Sequence, residues 1–163
     1  MDLATFNIQN GYAEAIIRGW RASFLTRTDY DTLKDCKSAS DFKMTLEDTD
    51  YHAFIASESN ITADILKNKM YEKLAKEFEH VKSQANPELF EFMERLQHRY
   101  MIDNVVMLIE GTRNKEKTAR LLEKINPLGR FEGITDIVYF EGDNFADLYH
   151  IVLVDSPVGS YFQ

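Results

Sequence analysis

One stretch of the sequence, residues 86–112, constrains the fold more than any other because its pattern predicts one long, buried helix. Asn86 is a favourable N-cap, and Pro87 takes the first helical position, where its missing N–H costs nothing. Apolar residues then recur at three- and four-residue steps: Leu89, Phe90, Met93, Leu96, Tyr100, Met101, Val105, Leu108 and Ile109. Gly111 is predicted to end this helix. Because the second half of the helix is apolar nearly all round, we expect it to be buried on most sides.

The composition indicates a globular protein and excludes several classes of partner. The 163 residues are 44% hydrophobic and 28% charged, which suffices for one domain with a core. A net charge of −8 argues against nucleic acid as the main partner and against unaided docking on anionic lipid. The longest uncharged apolar run, Val105–Ile109, is too short to cross a bilayer, so we expect no direct membrane insertion. The first residues do not predict a signal peptide.

The first third of the chain is predicted to form one longer helix and then short ones. Asn10 and Gly11 suggest a break, after which a helix covers Tyr12–Thr26. Thr28, a cap with Asp31 three residues later, predicts a short helix over Thr28–Asp35. Ser38 and Asp41 have the same spacing and predict another short helix over Phe42–Leu46. None of the short helices is long enough to be stable alone.

A second long amphipathic helix is predicted between Thr62, its cap, and residue 85. Its apolar face steps by three and four residues through Leu66, Met70, Leu74, Phe78 and Val81. Lys73 and the other charged residues are predicted to cover the remaining, solvent-facing sides. The short link to the helix at residues 86–112 predicts an antiparallel hairpin of two long helices.

The last third is predicted to hold two further helices and one irregular segment. A short helix over Ala119–Ile125 is followed by a break at Asn126–Gly129. The β-branched and aromatic segment Thr135–Phe140 has no evident partner strand and is interpreted as an extended connector. A helix over Phe145–Leu153 follows. The predicted fold class is therefore all-α, with little or no sheet.

No constellation of catalytic, cofactor-binding or metal-ligating residues stands out. The four histidines are scattered at positions without metal-ligand spacing: His52, His80, His98 and His150. The single cysteine, Cys36, cannot form an internal disulfide and suits a reducing compartment, and its neighbour Asp35 does not favour a reactive thiolate. No glycine-rich phosphate loop is present. We therefore expect no cofactor, no metal and no catalytic residue.

Asp103 and Asn104 are the exception, since they interrupt the most apolar helix in the chain. A charge there is costly unless it is paired. One interpretation is structural: a buried ion pair with Arg18, Arg21 or Arg99, or an amide bonded to a neighbouring helix end. The other is a catalytic carboxylate in a small helical enzyme, but no second carboxylate lies on this turn to help hold Mg²⁺. The structural interpretation of this polar pair is favoured.

Several separate blocks of sequence resemble subunit d of vacuolar-type rotary proton ATPases, a family related to the C subunit of archaeal rotary ATPases. In chain order, the blocks are FNIQNGYAEAIIRGWR at Phe6–Arg21, LEDTDYHAFI at Leu46–Ile55, YMIDNVVMLIEGT at Tyr100–Thr112, NPLGRFEGI at Asn126–Ile134 and LYHIVLVDSPVGSYF at Leu148–Phe162. The resemblance extends over essentially the whole chain, and the order of the blocks makes it specific.

The resemblance implies one or more lobes of a funnel-shaped helical subunit that couples the central stalk to the proteolipid rotor ring. Such a subunit belongs to the membrane (Vo) sector and is not catalytic; it carries torque, so that ATP hydrolysis drives proton transport and compartment acidification. The implied partners are the proteolipid ring and central-stalk subunits, with the a subunit of the membrane sector as a further candidate. The implied location is the cytoplasmic face of vacuolar or other endomembranes, peripheral through the complex.

Members of that family are about twice this long, so the single helical region over residues 1–163 corresponds to the family's N-terminal half. A fragment or a split gene product would leave an apolar face near Val152–Phe162 uncovered, and we expect the isolated chain to self-associate. The alternative function is a free-standing cytosolic helical adaptor with no link to an ATPase.

Overall fold

The computed structural model describes residues 3–135, 148–150, 154 and 159, and within these it confirms the all-α fold class. Over residues 3–129 the helices are, in chain order, α1 (Leu3–Ala22), α2 (Arg27–Asp35), α3 (Ala39–Thr45), α4 (His52–Ile55), α5 (Ala63–Ser83), α6 (Pro87–Arg113), α7 (Thr118–Lys124) and the short 3-10 helix Pro127–Gly129. No strand occurs among the described residues.

The chain divides into two compact units, Met1–Phe90 and Glu91–Gln163. In the first unit, α2 packs on α3 and α4 packs on α5. The described apolar side chains that this unit buries are few: Ala13, Leu46, Ile55 and Val81. The second unit has the more continuous core, which is formed by Val105, Leu108, Leu121, Ile125, Ile134 and Leu148. The antiparallel hairpin of α5 and α6 and the funnel shape stay predictions.

The predicted caps of both long helices are confirmed. The Thr62 hydroxyl accepts the N–H of Ile65 at 3.3 Å, which satisfies one of the free donors at the start of α5. The Asn86 side chain accepts the N–H of Leu89 at 2.9 Å, and Pro87 is the first residue of α6. Local side-chain chemistry therefore fixes where each long helix begins.

The predicted break at Asn10 and Gly11 is wrong, because α1 runs through both residues. A glycine inside a helix costs only about 1 kcal/mol, which other contacts can offset. One such contact involves Asn10, which is buried and accepts a hydrogen bond from the Asn86 side chain at 2.9 Å. This bond joins residues 76 positions apart, so it could not be read from local sequence.

The cap of α2 is Thr26 rather than Thr28. The Thr26 hydroxyl accepts the N–H of Asp29, and the Asp29 carboxylate accepts the N–H of Thr26 at 2.6 Å, which completes a capping box. α3 begins after Ser38, whose hydroxyl accepts the N–H of Asp41 at 3.1 Å, as predicted.

Gly111 does not end α6, which continues to Arg113. The left-handed residue that follows the helix is Lys115, with φ of 57°. Gly111 is buried, and a Cβ built on it would overlap Cδ2 of Leu121 in α7. Gly111 therefore lies at a close contact between α6 and the Leu121 side chain of α7, and it does not mark a change of backbone direction.

Three sequence predictions fall on residues that the structure does not describe. The extended connector Thr135–Phe140 lies outside them except for its first residue. The helix over Phe145–Leu153 is described only at Leu148–His150, which is helical. The apolar face near Val152–Phe162 lies almost wholly outside them. Of the helices in the described part of the chain, none combines the length and apolar character that a bilayer crossing requires.

Candidate functional site

The second unit is organised by one face of α6, against which α7 and the segment after it pack. The side chains of this face are buried: Met93, Gln97, Met101, Asn104, Val105, Leu108 and Thr112. The opposite face is not, since Ile102 and Val106 are 48% and 46% exposed. The prediction that the second half of α6 is buried on most sides is confirmed only in part. Met107 and Ile109, beside the buried face, also pack against the core, and the exposed stripe includes Ile102 and Val106.

Asn104 is the polar centre of the buried face and holds the segment that follows α7. Its Nδ2 donates to the carbonyl oxygens of Asn126 at 3.0 Å and Gly129 at 2.9 Å. Its Oδ1 accepts the backbone N–H of Asn126 at 2.9 Å. Both donor hydrogens and the acceptor of one buried amide are thus used, which removes the usual penalty for burying it. We call residues 126–129, together with Asn104, the clasp.

A close backbone approach completes the clasp. A Cβ on Gly129 would overlap the carbonyl group of Tyr100 and would lie 2.7 Å from the backbone nitrogen of Met101. The neighbouring carbonyl of Leu128 accepts a long hydrogen bond of 3.5 Å from Gln97 Nε2. Within the 3-10 turn, the Asn126 side chain also accepts the N–H of Leu128. Only glycine at position 129 lets the segment lie directly on α6.

Asp103 and Asn104, which the sequence predicts to be a structural polar pair, have different environments in the structure. Asn104 is 3% exposed and bonded to the end of a neighbouring element, whereas Asp103 is exposed. The expectation of a buried Asp103 is therefore wrong, because Asp103 lies on the face of α6 that turns away from the core. Among the described residues, no ion pair forms between Asp103 and Arg18, Arg21 or Arg99; Arg18 pairs instead with Glu14.

The first unit contains a buried charge, Lys73, which the sequence pattern predicts to lie on the surface. Lys73 is 5% exposed, forms an ion pair with Glu77 and lies with Nζ 5.0 Å from the ring centroid of Tyr51. The i, i+4 spacing of Lys73 and Glu77 predicts an ion pair on a helix, but it does not predict that the pair is buried. Burial also raises the pKa of the Tyr51 hydroxyl above its ordinary value.

The cluster of Lys73, Glu77 and Tyr51 lies at a largely apolar groove of about 340 Å³. The remaining lining is aliphatic and aromatic: Phe24, Leu25, Tyr30, Leu33, Phe42, Leu46, Leu66, Met70 and Leu74. Leu74, predicted on the buried face of α5, is 44% exposed. Nearby, Lys69 contacts Glu58 at 3.1 Å and Glu72 at 3.3 Å, and the hydrogen bond to Glu58 is the main cause that raises its pKa.

The polar side chains of the clasp and of the Lys73–Glu77 ion pair are engaged in hydrogen bonds and an ion pair within the protein. The clasp offers a neutral amide whose hydrogen-bonding groups are occupied, and the ion pair in the first unit is internally neutralised. Across the described part of the chain, no three His, Cys, Asp or Glu residues converge as metal ligands would. The best-defined arrangement is therefore the hydrogen-bonded packing of residues 126–129 on α6.

Comparison with known proteins gives a consistent result over nearly the whole chain. Residues 13–163 match the family model described as ATP synthase (C/AC39) subunit. The V-type proton ATPase subunit d of Dictyostelium discoideum is 41% identical over 162 residues, which are 99% of this chain and 45% of the relative. Its counterpart in Neurospora crassa is 40% identical, over 100% of this chain and 44% of the relative.

A more distant similarity extends to archaea. The C subunit of the A-type ATP synthase of Thermococcus onnurineus is 22% identical over 88% of this chain and 41% of its own length. The chain thus spans somewhat less than half the length of each of these relatives. Both segments of the clasp lie within the range that the family model matches.

Proposed function

The chain belongs to the ATP synthase (C/AC39) subunit family, and from this premise we propose that it acts as a non-catalytic coupling subunit of a vacuolar-type proton ATPase. In this role it corresponds to the N-terminal half of subunit d in the membrane (Vo) sector. It links the central stalk to the proteolipid rotor ring, so that ATP hydrolysis drives proton transport and acidifies a compartment.

The observation that carries the proposal is the family match over residues 13–163, supported by relatives named V-type proton ATPase subunit d. The clasp adds a physical argument. A subunit that transmits torque must hold its helices in fixed register under load, and directional hydrogen bonds from Asn104 fix the register of residues 126–129 on α6. We assign Asn104 this structural role.

The proposed partners are the proteolipid ring and the central-stalk subunits, with the a subunit of the membrane sector as a further candidate. The chain would be held at the cytoplasmic face of vacuolar or other endomembranes through these proteins and not through its own insertion. It would need no cofactor, since ATP and protons are handled by other subunits. The alternative is a free-standing cytosolic helical adaptor, which would stay in the supernatant when membranes are pelleted.

Affinity purification of the tagged, full-length gene product from detergent-solubilised membranes tests the proposal. We expect mass spectrometry to recover proteolipid-ring and central-stalk subunits together with it. Recovery of soluble partners alone, without the ring, would leave the helical fold intact and overturn the coupling function in favour of the adaptor.

A matched pair of variants links the assembly to the clasp. Asn104→Leu removes the clasp hydrogen bonds, and we expect it to lower recovery of the ring and ATP-driven proton pumping together. Asp103→Asn, one residue away on the exposed face, should leave both unchanged. Normal assembly with lost pumping in Asn104→Leu would contradict a purely structural role for this residue.

A further inference from the structure

The largely apolar groove of the first unit has the features of a site for a small molecule. Side chains of α2, α3 and α5 line it, and its volume of about 340 Å³ falls within the range of ligand pockets in proteins, roughly 300–1,000 Å³. Three of its large side chains keep much of their surface in solvent: Phe24 is 58% exposed, Tyr30 is 54% exposed and Leu74 is 44% exposed. A bound apolar molecule would remove this surface from water, which is favourable. We call this groove the first-unit groove.

One charged group that lines the first-unit groove has a hydrogen-bond donor to spare. Lys73 is 5% exposed, and its ammonium group carries three N–H donors. Among the described residues, its Nζ contacts one carboxylate oxygen of Glu77 and lies 5.0 Å from the ring centroid of Tyr51. These two contacts account for two of the three donors. Because an unsatisfied donor on a buried charge is costly, the third N–H favours an acceptor that is supplied from the groove.

The charges beside this donor select the kind of acceptor. Lys73 and Glu77 form an ion pair, so no net charge remains to hold an ionic head group. An anion that approached Lys73 would also meet the carboxylate of Glu77, because both residues line the groove. The oxygen of a ketone, ester or amide accepts a hydrogen bond without this repulsion. The groove is therefore complementary to an apolar molecule with a neutral oxygen acceptor.

From this complementarity we propose that the first-unit groove binds a small, neutral, apolar carbonyl compound. The ammonium group of Lys73 donates to the carbonyl oxygen, and the apolar body of the ligand packs on the side chains of α2, α3 and α5. The rings of Phe24, Tyr30 and Phe42 suit a flat, unsaturated body, since aromatic rings pack favourably on one another. The site lies wholly within residues 24–77, so it depends neither on the clasp nor on the proposed coupling role.

A series of naphthalene probes tests the recognised chemistry. Prodan, a neutral naphthyl ketone whose emission shifts to shorter wavelength in apolar surroundings, is titrated into the 163-residue protein. We expect saturable binding of one molecule per chain, and displacement of Prodan by acetylnaphthalene. Ethylnaphthalene should bind at least about tenfold more weakly than acetylnaphthalene, because it lacks the oxygen that accepts from Lys73. Naphthoate should also bind at least about tenfold more weakly, because its charge meets Glu77.

Variants of the protein locate the site. Leu74→Trp enlarges a side chain that lines the groove, and we expect it to weaken Prodan binding at least about tenfold. Leu96→Trp is the matched control, because Leu96 is 43% exposed on α6 and lies outside the groove; this variant should bind Prodan as the wild type does. The double variant Lys73→Met with Glu77→Leu should bind acetylnaphthalene and ethylnaphthalene equally well. Circular dichroism of every variant checks that the helices remain intact.

Several results would overturn the proposal. If Prodan shows no saturable binding to the wild type, the groove is not a ligand site. Equal binding of ethylnaphthalene and acetylnaphthalene to the wild type would show that the groove does not recognise the oxygen. Tighter binding of naphthoate than of acetylnaphthalene would show that it selects an anion. Unchanged Prodan binding by Leu74→Trp would place the bound molecule elsewhere.

Discussion

The side chain of Asn104 pairs with both backbone groups of Asn126: its Nδ2 donates to the carbonyl oxygen at 3.0 Å, and its Oδ1 accepts the N–H at 2.9 Å. This is the hydrogen-bond pattern that a neighbouring strand would offer, supplied here by one amide in the middle of a helix. It fixes residue 126, where α7 has ended, at a single place along α6.

Removal of this amide should destabilise the protein strongly. Asn104→Leu leaves the half-buried N–H and carbonyl of Asn126, and the buried carbonyl of Gly129, without their partner. We expect a loss of about 2–4 kcal/mol in the free energy of unfolding, measured by urea denaturation. Asp103→Asn is the control, and it should change stability by less than about 0.5 kcal/mol because the residue is exposed. Equal effects of the two variants would contradict the clasp.

Gly129 should not tolerate even one added methyl group. In Gly129→Ala the new Cβ meets the backbone of α6 at Tyr100 and Met101, which cannot move aside as a side chain can. We expect a loss of about 2 kcal/mol or more, seen as a lower urea midpoint with an unchanged slope.

Gly19→Ala is the matched control for that glycine. Gly19 lies inside α1, is exposed, and has no atom within 4 Å of the position of an added Cβ. This substitution should raise stability by roughly 0.5–1 kcal/mol through helix propensity. A Gly129→Ala variant as stable as the wild type would show that the segment does not rest on α6.

The buried Lys73 should be more sensitive than an exposed lysine of the same helix. Lys73→Met leaves the half-buried Glu77 without its ion pair, and we expect a loss of about 1–3 kcal/mol in urea denaturation. Lys67→Met, on the exposed side of α5, should be nearly neutral. The double variant Lys73→Met with Glu77→Leu should recover most of the loss; failure to recover would mean that Lys73 acts through its packing and not through its charge.

The capping box of α2 predicts a measurable pH dependence. The hydrogen bond from the Thr26 N–H, and then that from the Thr26 hydroxyl, hold the pKa of Asp29 below its ordinary value of 3.8. Because the folded pKa is the lower one, the Asp29 carboxylate stabilises α2 fully above the ordinary value. This stabilisation is lost as the pH falls through the folded pKa.

NMR titration of the Asp29 side chain tests this dependence. Thr26→Ala removes the hydroxyl, and we expect the pKa of Asp29 to move upward toward 3.8. The wild-type protein, titrated under the same conditions, serves as the reference. An Asp29 pKa that does not respond to Thr26→Ala would contradict the capping box.

Much of the fold was predictable because its signals are local. The caps at Thr62 and Asn86 and the helix over residues 119–125 follow from side-chain chemistry and spacing within a few residues, and all three are confirmed. The family could also be predicted, because its sequence blocks occur in order along the chain. The prediction of a break at residues 10–11 is wrong because a contact to Asn86, remote in sequence, stabilises the helix through that point.

The sequence by itself determined that the chain is helical, where most helices begin, and which family it belongs to, because these depend on local patterns and on motif order. It also marked Asp103 and Asn104 as unusual. Only the tertiary structure decided which of the two residues is buried. Adjacent residues on a helix point about 100° apart, and one such step separates the buried face of α6 from the exposed one. For the same reason, packing alone decided that Lys73 is buried, that Gly111 and Gly129 serve close contact, and that Asn104 holds residues 126–129.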